Sequence, residues 1–75
     1  MYSVVGKRKC EGEYEGRAYS HCKLFTISDE VFDGLVGQVV ESLKVPMRYF
    51  EEVDVGDNVS VNYNRYGKVA DVVIL

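Results

Sequence analysis

From Val59 to Leu75 the chain reads VSVNYNRYGKVADVVIL: apolar and polar residues alternate, turn at NRYGK, and alternate again. A period of two is the spacing of a β-strand, because successive side chains leave opposite faces of the backbone. Within NRYGK, Asn64 first and Gly67 last suit a type I turn whose glycine takes positive φ. Earlier, EYEGR has the same layout: bulky or charged residues, then Gly16, then a cation. Two hairpins therefore constrain the chain to antiparallel strands. With Asn64 facing Lys68, Tyr63 faces Val69, Asn62 faces Ala70, Ser60 faces Val72 and Val59 faces Val73. VADVVIL is apolar at nearly every position, the pattern of a strand covered on both faces.

Five extended segments follow from the same reasoning. Tyr2 to Glu13 and Arg17 to Ile27 form the first hairpin, with Tyr14, Glu15 and Gly16 as its turn. In its second strand Ala18, Ser20, Cys22 and Leu24 share one face, and Tyr19, His21, Lys23 and Phe25 the other. Ser28 to Gly34, SDEVFDG, is an acidic connector in which Ser28 or Asp29 caps a short helical turn. Leu35 to Val45 fits a helical stripe at Leu35, Val36, Val39, Val40 and Leu43, but its glycines and valines favour a strand. Pro46 ends that segment and opens a helical turn in PMRYFEEVD. Five short strands, with a helical turn between the third and fourth, predict one all-β domain over residues 1–75. The order is that of a small five-stranded OB-like barrel, and an SH3-like barrel reads almost the same.

Composition narrows the function. Seventy-five residues leave no room for a second core. No apolar run approaches the ~20 residues that cross a membrane, and the N-terminal residues have the reverse order of a secretory signal, so a cytoplasmic protein is expected. Cys10 and Cys22 flank the first turn and face each other across that hairpin in one register; reduced thiols are expected in this compartment. With one histidine they make no closed zinc site, and no cofactor or metal is expected. His21 has no serine or cysteine pattern of a triad around it, and the glycines are dispersed at turns rather than gathered in a phosphate loop. The chain reads as a non-enzyme.

Binding has better material. Lys7 and Lys9 share one face of the first strand. Tyr19, His21, Lys23 and Phe25 interleave rings with cations along the second, and Arg65, Tyr66 and Lys68 crowd the last turn. Single-stranded nucleic-acid binders combine cations that follow the backbone with rings that stack on bases, each stack worth ~1–3 kcal/mol. Arg48, Tyr49 and Phe50 form a third cluster, with Phe50 expected to cover a barrel end. Against this stands a net charge of -3, which weakens long-range attraction to phosphate.

The ending GDNVSVNYNRYGKVADVVIL, together with GLVGQVVESLKV, resembles a set of very short proteins of Gram-positive phages, plasmids and integrative elements. These are similar to the gene V type OB-fold single-stranded DNA-binding proteins of filamentous phages. The resemblance implies a homodimer in which tyrosines and a phenylalanine stack on bases while arginines and lysines meet phosphates. Arg65, Tyr66, Lys68 and the Tyr19–Phe25 face match such roles; the acidic net charge and short connecting loops depart from the pattern. The expectation is a single-stranded DNA-binding protein acting in replication or transfer of a mobile element, with a replication initiator as a further partner. The alternative is a protein-assembly module on the same barrel, in which the acidic middle and VADVVIL form the interface.

Overall fold

A computed structural model describes residues 1–75. Its elements are β1 (Tyr2–Tyr14), β2 (Arg17–Ser28), β3 (Val39–Val45), α1 (Arg48–Glu52), β4 (Asn58–Tyr63) and β5 (Val69–Ile74). All five strands are antiparallel in one sheet of order β3-β2-β1-β4-β5. The all-β class and the helical turn between β3 and β4 agree with the sequence reading. The sheet does not close into a barrel: β3 and β5 end it on opposite sides and share no backbone ladder. α1 is tied to β5 by side chains: the buried Tyr49 donates its hydroxyl to Asp71 at 2.9 Å and accepts from Arg48 at 2.9 Å. No helix is long and apolar enough to cross a membrane.

The core lies on the face that carries α1. Val4, Cys22, Leu24, Leu43, Val45, Tyr49, Val53, Val59 and Val72 form one buried cluster, with Phe50 packed against it. These residues follow the strand period: Cys22 and Leu24 on β2, Leu43 and Val45 on β3. The Tyr19–Phe25 set accordingly lies on the opposite, outer face.

The first hairpin turns on two residues rather than three. Glu15 and Gly16 both take positive φ, 50° and 75°, and Tyr14 pairs with Arg17. The primed turn follows from strand twist, with Gly16 accepting its conformation at no steric cost. A turn of three residues would shift the register by one and put every β1 side chain on the other face. In the observed register Lys7 pairs with Leu24 and Lys9 with Cys22, so both lysines take the core face. Cys10 pairs with His21 on the outer face, whereas Cys22 is fully buried. The cysteines thus lie on opposite faces and do not meet, and burial pushes the Cys22 thiol upward.

Four further expectations are corrected. Gly34 and Gly37 take φ of 80° and 97°, which keeps Leu35 and Val36 out of the strand, so β3 begins at Val39. Ser28 Oγ accepts from Glu30 N at 3.1 Å but opens a turn, not a helix. In the last hairpin Tyr63 does pair with Val69, but the register then shifts past Ala70, so Val61 pairs with Val72 and Val59 with Ile74. An extra residue of this kind bends a strand and re-aims its side chains. Only Val72 of β5 is buried; Val73 and Ile74 are exposed, so β5 is not covered on both faces. The NRYGK turn itself is as expected, with the Asn64 side chain accepting from Tyr66 N and Lys68 N.

β1 and β2 run past the rest of the sheet. β3 pairs with β2 only from Cys22 onward, and β4 with β1 only at Tyr2 and Ser3. Every residue from Glu11 to Ser20 is exposed, which makes a two-stranded arm and stretches the molecule to 45 × 23 × 23 Å.

Candidate nucleic-acid interface

The outer face of β1, β2 and β3 is built in rows, because residues opposite one another in an antiparallel ladder share a face. Gly6 pairs with Phe25, and Phe25 with Ser42. The next outward row is Arg8, Lys23 and Lys44, then Cys10 with His21, then Gly12 with Tyr19, and Tyr14 with Arg17 at the tip.

The middle row stands out on energetic grounds. Arg8 pairs directly with Lys23, and Lys23 with Lys44, on strands about 4.8 Å apart. Like charges directly opposite are destabilising. The ion pairs of the molecule are made by the Met1 amino group, Lys7 and Lys9, so none of the three row cations is neutralised. With Arg17 the face carries four cations and no acid, which leaves five cations and twelve acids for the rest of the chain. The acidic net charge is thereby segregated away from this surface.

The rings beside the row are exposed and braced from one side. Tyr19 lies across Gly12, where an added Cβ would stand 2.5 Å from its hydroxyl oxygen. Phe25 lies over Gly6, with the corresponding gap 3.4 Å. The glycines let each ring rest on the neighbouring strand while 46% of Tyr19 and 36% of Phe25 stay open. Tyr19 and His21 stand with ring centroids 6.0 Å apart. Same-face residues on one strand repeat every ~6.8 Å. That is about twice the 3.4 Å phosphate spacing of one strand in a stacked duplex, so the stripe suits an extended, unstacked strand better than a double helix.

The remaining candidates divide. Lys7 is taken up by the fold: its ammonium donates to the carbonyls of Phe50 at 2.6 Å and Val53 at 3.0 Å. Lys9 stands 4.8 Å over the Phe50 ring and 4.0 Å from Glu51, on the same core-side surface. Arg65 and Tyr66 are held together at the last turn, Nη2 donating to the tyrosine hydroxyl at 2.9 Å, with the Tyr66 ring 71% exposed. Lys68 joins His21 and Lys44 around a groove of about 600 Å³ between β3 and the β4–β5 tip. The structure thus unites Tyr19, His21, Lys23, Phe25 and Lys68 and separates Lys7 and Lys9 from them. It adds Arg8, Lys44, Tyr14 and Arg17; Tyr14 and Arg17 line a shallow hollow at the arm tip together with Tyr19 and the turn acid Glu15.

Desolvation, followed by the charges of Lys44 and Lys23, holds the His21 imidazole below its ordinary 6.5. The unfolded chain therefore takes this proton first as pH falls, so His21 removes stability on acidification through and below the ordinary histidine range. A polyanion on the face opposes those two lysine charges. The expected NMR titration midpoint of His21 is below 6.5 in the free protein and rises when a single-stranded oligonucleotide is saturating. An unchanged midpoint would place the phosphates away from this ring.

No protein-family model, no curated protein and no solved structure matches the chain.

Proposed function

We propose that the protein binds single-stranded DNA on the outer face of β1–β3, without catalysis, in the replication or transfer of a phage or other mobile element. The observation that carries this reading is the unneutralised row Arg8–Lys23–Lys44, flanked by exposed Phe25 and Tyr19 and half-buried His21, on a strand face with no acid. An arrangement that costs the fold stability and leaves three cations unpaired is accounted for by an anionic ligand. In OB-folds the surface of the second and third strands and the loops between strands 1–2 and 4–5 take oligonucleotides, and the corresponding parts here hold the candidate residues. The resemblance of the Gly56–Val69 hairpin to gene V type proteins supports DNA as the polymer, a homodimer as the working unit and the cytoplasm as the site of action.

Titration with a fluorescent oligonucleotide at rising salt tests the proposal. Four phosphate contacts predict a slope of log K against log salt of about -3. No binding at low ionic strength, where counterion release is most favourable, would sink it. One observation favours the assembly reading instead: the β5 edge is unpaired and exposes Val73 and Ile74. Recovery of a replication initiator by the protein, undiminished by nuclease, would support that reading.

A further inference from the structure

The groove at the open side of the sheet differs from the outer face in having an apolar floor. Leu43, Val45 and Val69 line it, Lys44, Lys68 and His21 stand around it, and no acid contributes. Both flanking strands are at ends of the sheet, so their outward main-chain groups are unpaired by any ladder.

A segment with the complementary properties lies elsewhere in the same chain. Between β2 and β3, Asp29–Gly37 carries Asp29, Glu30 and Asp33 and no cation. Its apolar residues lack cover: Val31 is 87% exposed, Phe32 55% and Val36 97%. Glu30 and Asp33 have no ion-pair partner. Apolar side chains grouped at a surface in this way mark a contact surface.

We infer that the groove beside β3 is a docking site for the Asp29–Gly37 segment of a second copy of this chain. The carboxylates of Glu30 and Asp33 meet Lys44 and Lys68, and Phe32 covers the floor of Leu43, Val45 and Val69. The segment enters β3 at its N-terminal end, whereas the groove flanks the C-terminal residues Ser42–Val45, and no residue of the chain's own segment lines it. Seven residues of strand span about 23 Å. Two copies laid antiparallel along β3 therefore exchange segments reciprocally, which closes the contact as a two-fold dimer. The docking gives an interface to the homodimer of the proposed function, but it does not depend on nucleic-acid binding. One consequence does rest on that reading: Lys44 and His21 belong to both surfaces, so an oligonucleotide and the docked segment compete.

Sedimentation of the full chain over a range of concentrations tests the docking, with far-UV circular dichroism to confirm that each variant folds. The wild type is expected to dimerise, with an affinity that falls as salt rises. Lys44→Glu with Lys68→Glu, and separately Glu30→Lys with Asp33→Lys, are each expected to weaken association by about a hundredfold, since like charges then face one another. An equimolar mixture of the two variants restores both contacts and is expected to associate within about tenfold of the wild type. A wild type that stays monomeric at every concentration overturns the inference. So does a dimer that survives in either variant, or a mixture that fails to associate.

Discussion

Replacing Arg8, Lys23 and Lys44 together by glutamine is expected to lower affinity for a single-stranded oligonucleotide by about a hundredfold at ~0.1 M salt, while the protein becomes more stable. Each phosphate contact on a single strand contributes about 0.7 to the salt slope, which is about fivefold in affinity at that salt concentration, and three contacts multiply. The slope itself should flatten by about 2. Stability moves the other way because the triple change removes two directly opposed like-charge pairs, each costing about 0.2–1 kcal/mol. A gain of that size raises Tm by several degrees in a domain of this length. Few surface changes are expected to help the fold and damage binding at once. Unchanged affinity would remove the row from the interface, and a large loss of stability would mean that the row has a structural partner.

Lys7→Met is expected to do the opposite. The ammonium of Lys7 satisfies the carbonyls of Phe50 and Val53, at the end of α1 where helix carbonyls lack intrahelical donors. Its side chain is only 21% exposed, so water replaces it poorly. Methionine keeps the apolar stem over Phe50 and removes the donor. Hydrogen bonds to a charged group contribute about 1.5–3 kcal/mol each, so the loss is on the order of 3 kcal/mol and Tm falls by roughly 10–20 °C. The ion pair with Asp54, 3.9 Å away and 80% exposed on that side, adds little. Oligonucleotide affinity, measured below the new Tm, should hardly change. A variant that keeps its stability but loses affinity would return Lys7 to the binding surface.

The contrast between these two lysine positions marks where the sequence was legible. Alternation alone separates Cys22 and Leu24 from Tyr19, His21, Lys23 and Phe25, because the strand period is independent of the partner strand. It also shows that Lys7 and Lys9 share a face. Which face depends on whether the turn holds two residues or three, and a shift of one residue inverts the answer. Placing the turn at Glu15–Gly16 puts Arg8 beside Lys23; that pairing was therefore available from turn chemistry once Tyr14 joined the strand. Lys44 was not, since a long connector with two positive-φ glycines separates β2 from β3 and leaves their register free. The shift past Ala70 is illegible for the same reason: alternation in VADVVIL is too weak to reveal an extra residue. Closure of the barrel depends on how far β3 and β5 approach across the whole sheet, which no local pattern reports.

On the proposed reading the acid-free outer face, rather than the α1 side, takes the polymer. Residue-resolved NMR during addition of a short single-stranded oligonucleotide tests it most directly. The expected result is that Arg8, Tyr19, Lys23, Phe25 and Lys44 shift together and saturate at one stoichiometry, while Lys7, Lys9 and Phe50 stay in place. Shifts centred on Lys7, Lys9 and Phe50, or confined to β5, would contradict it.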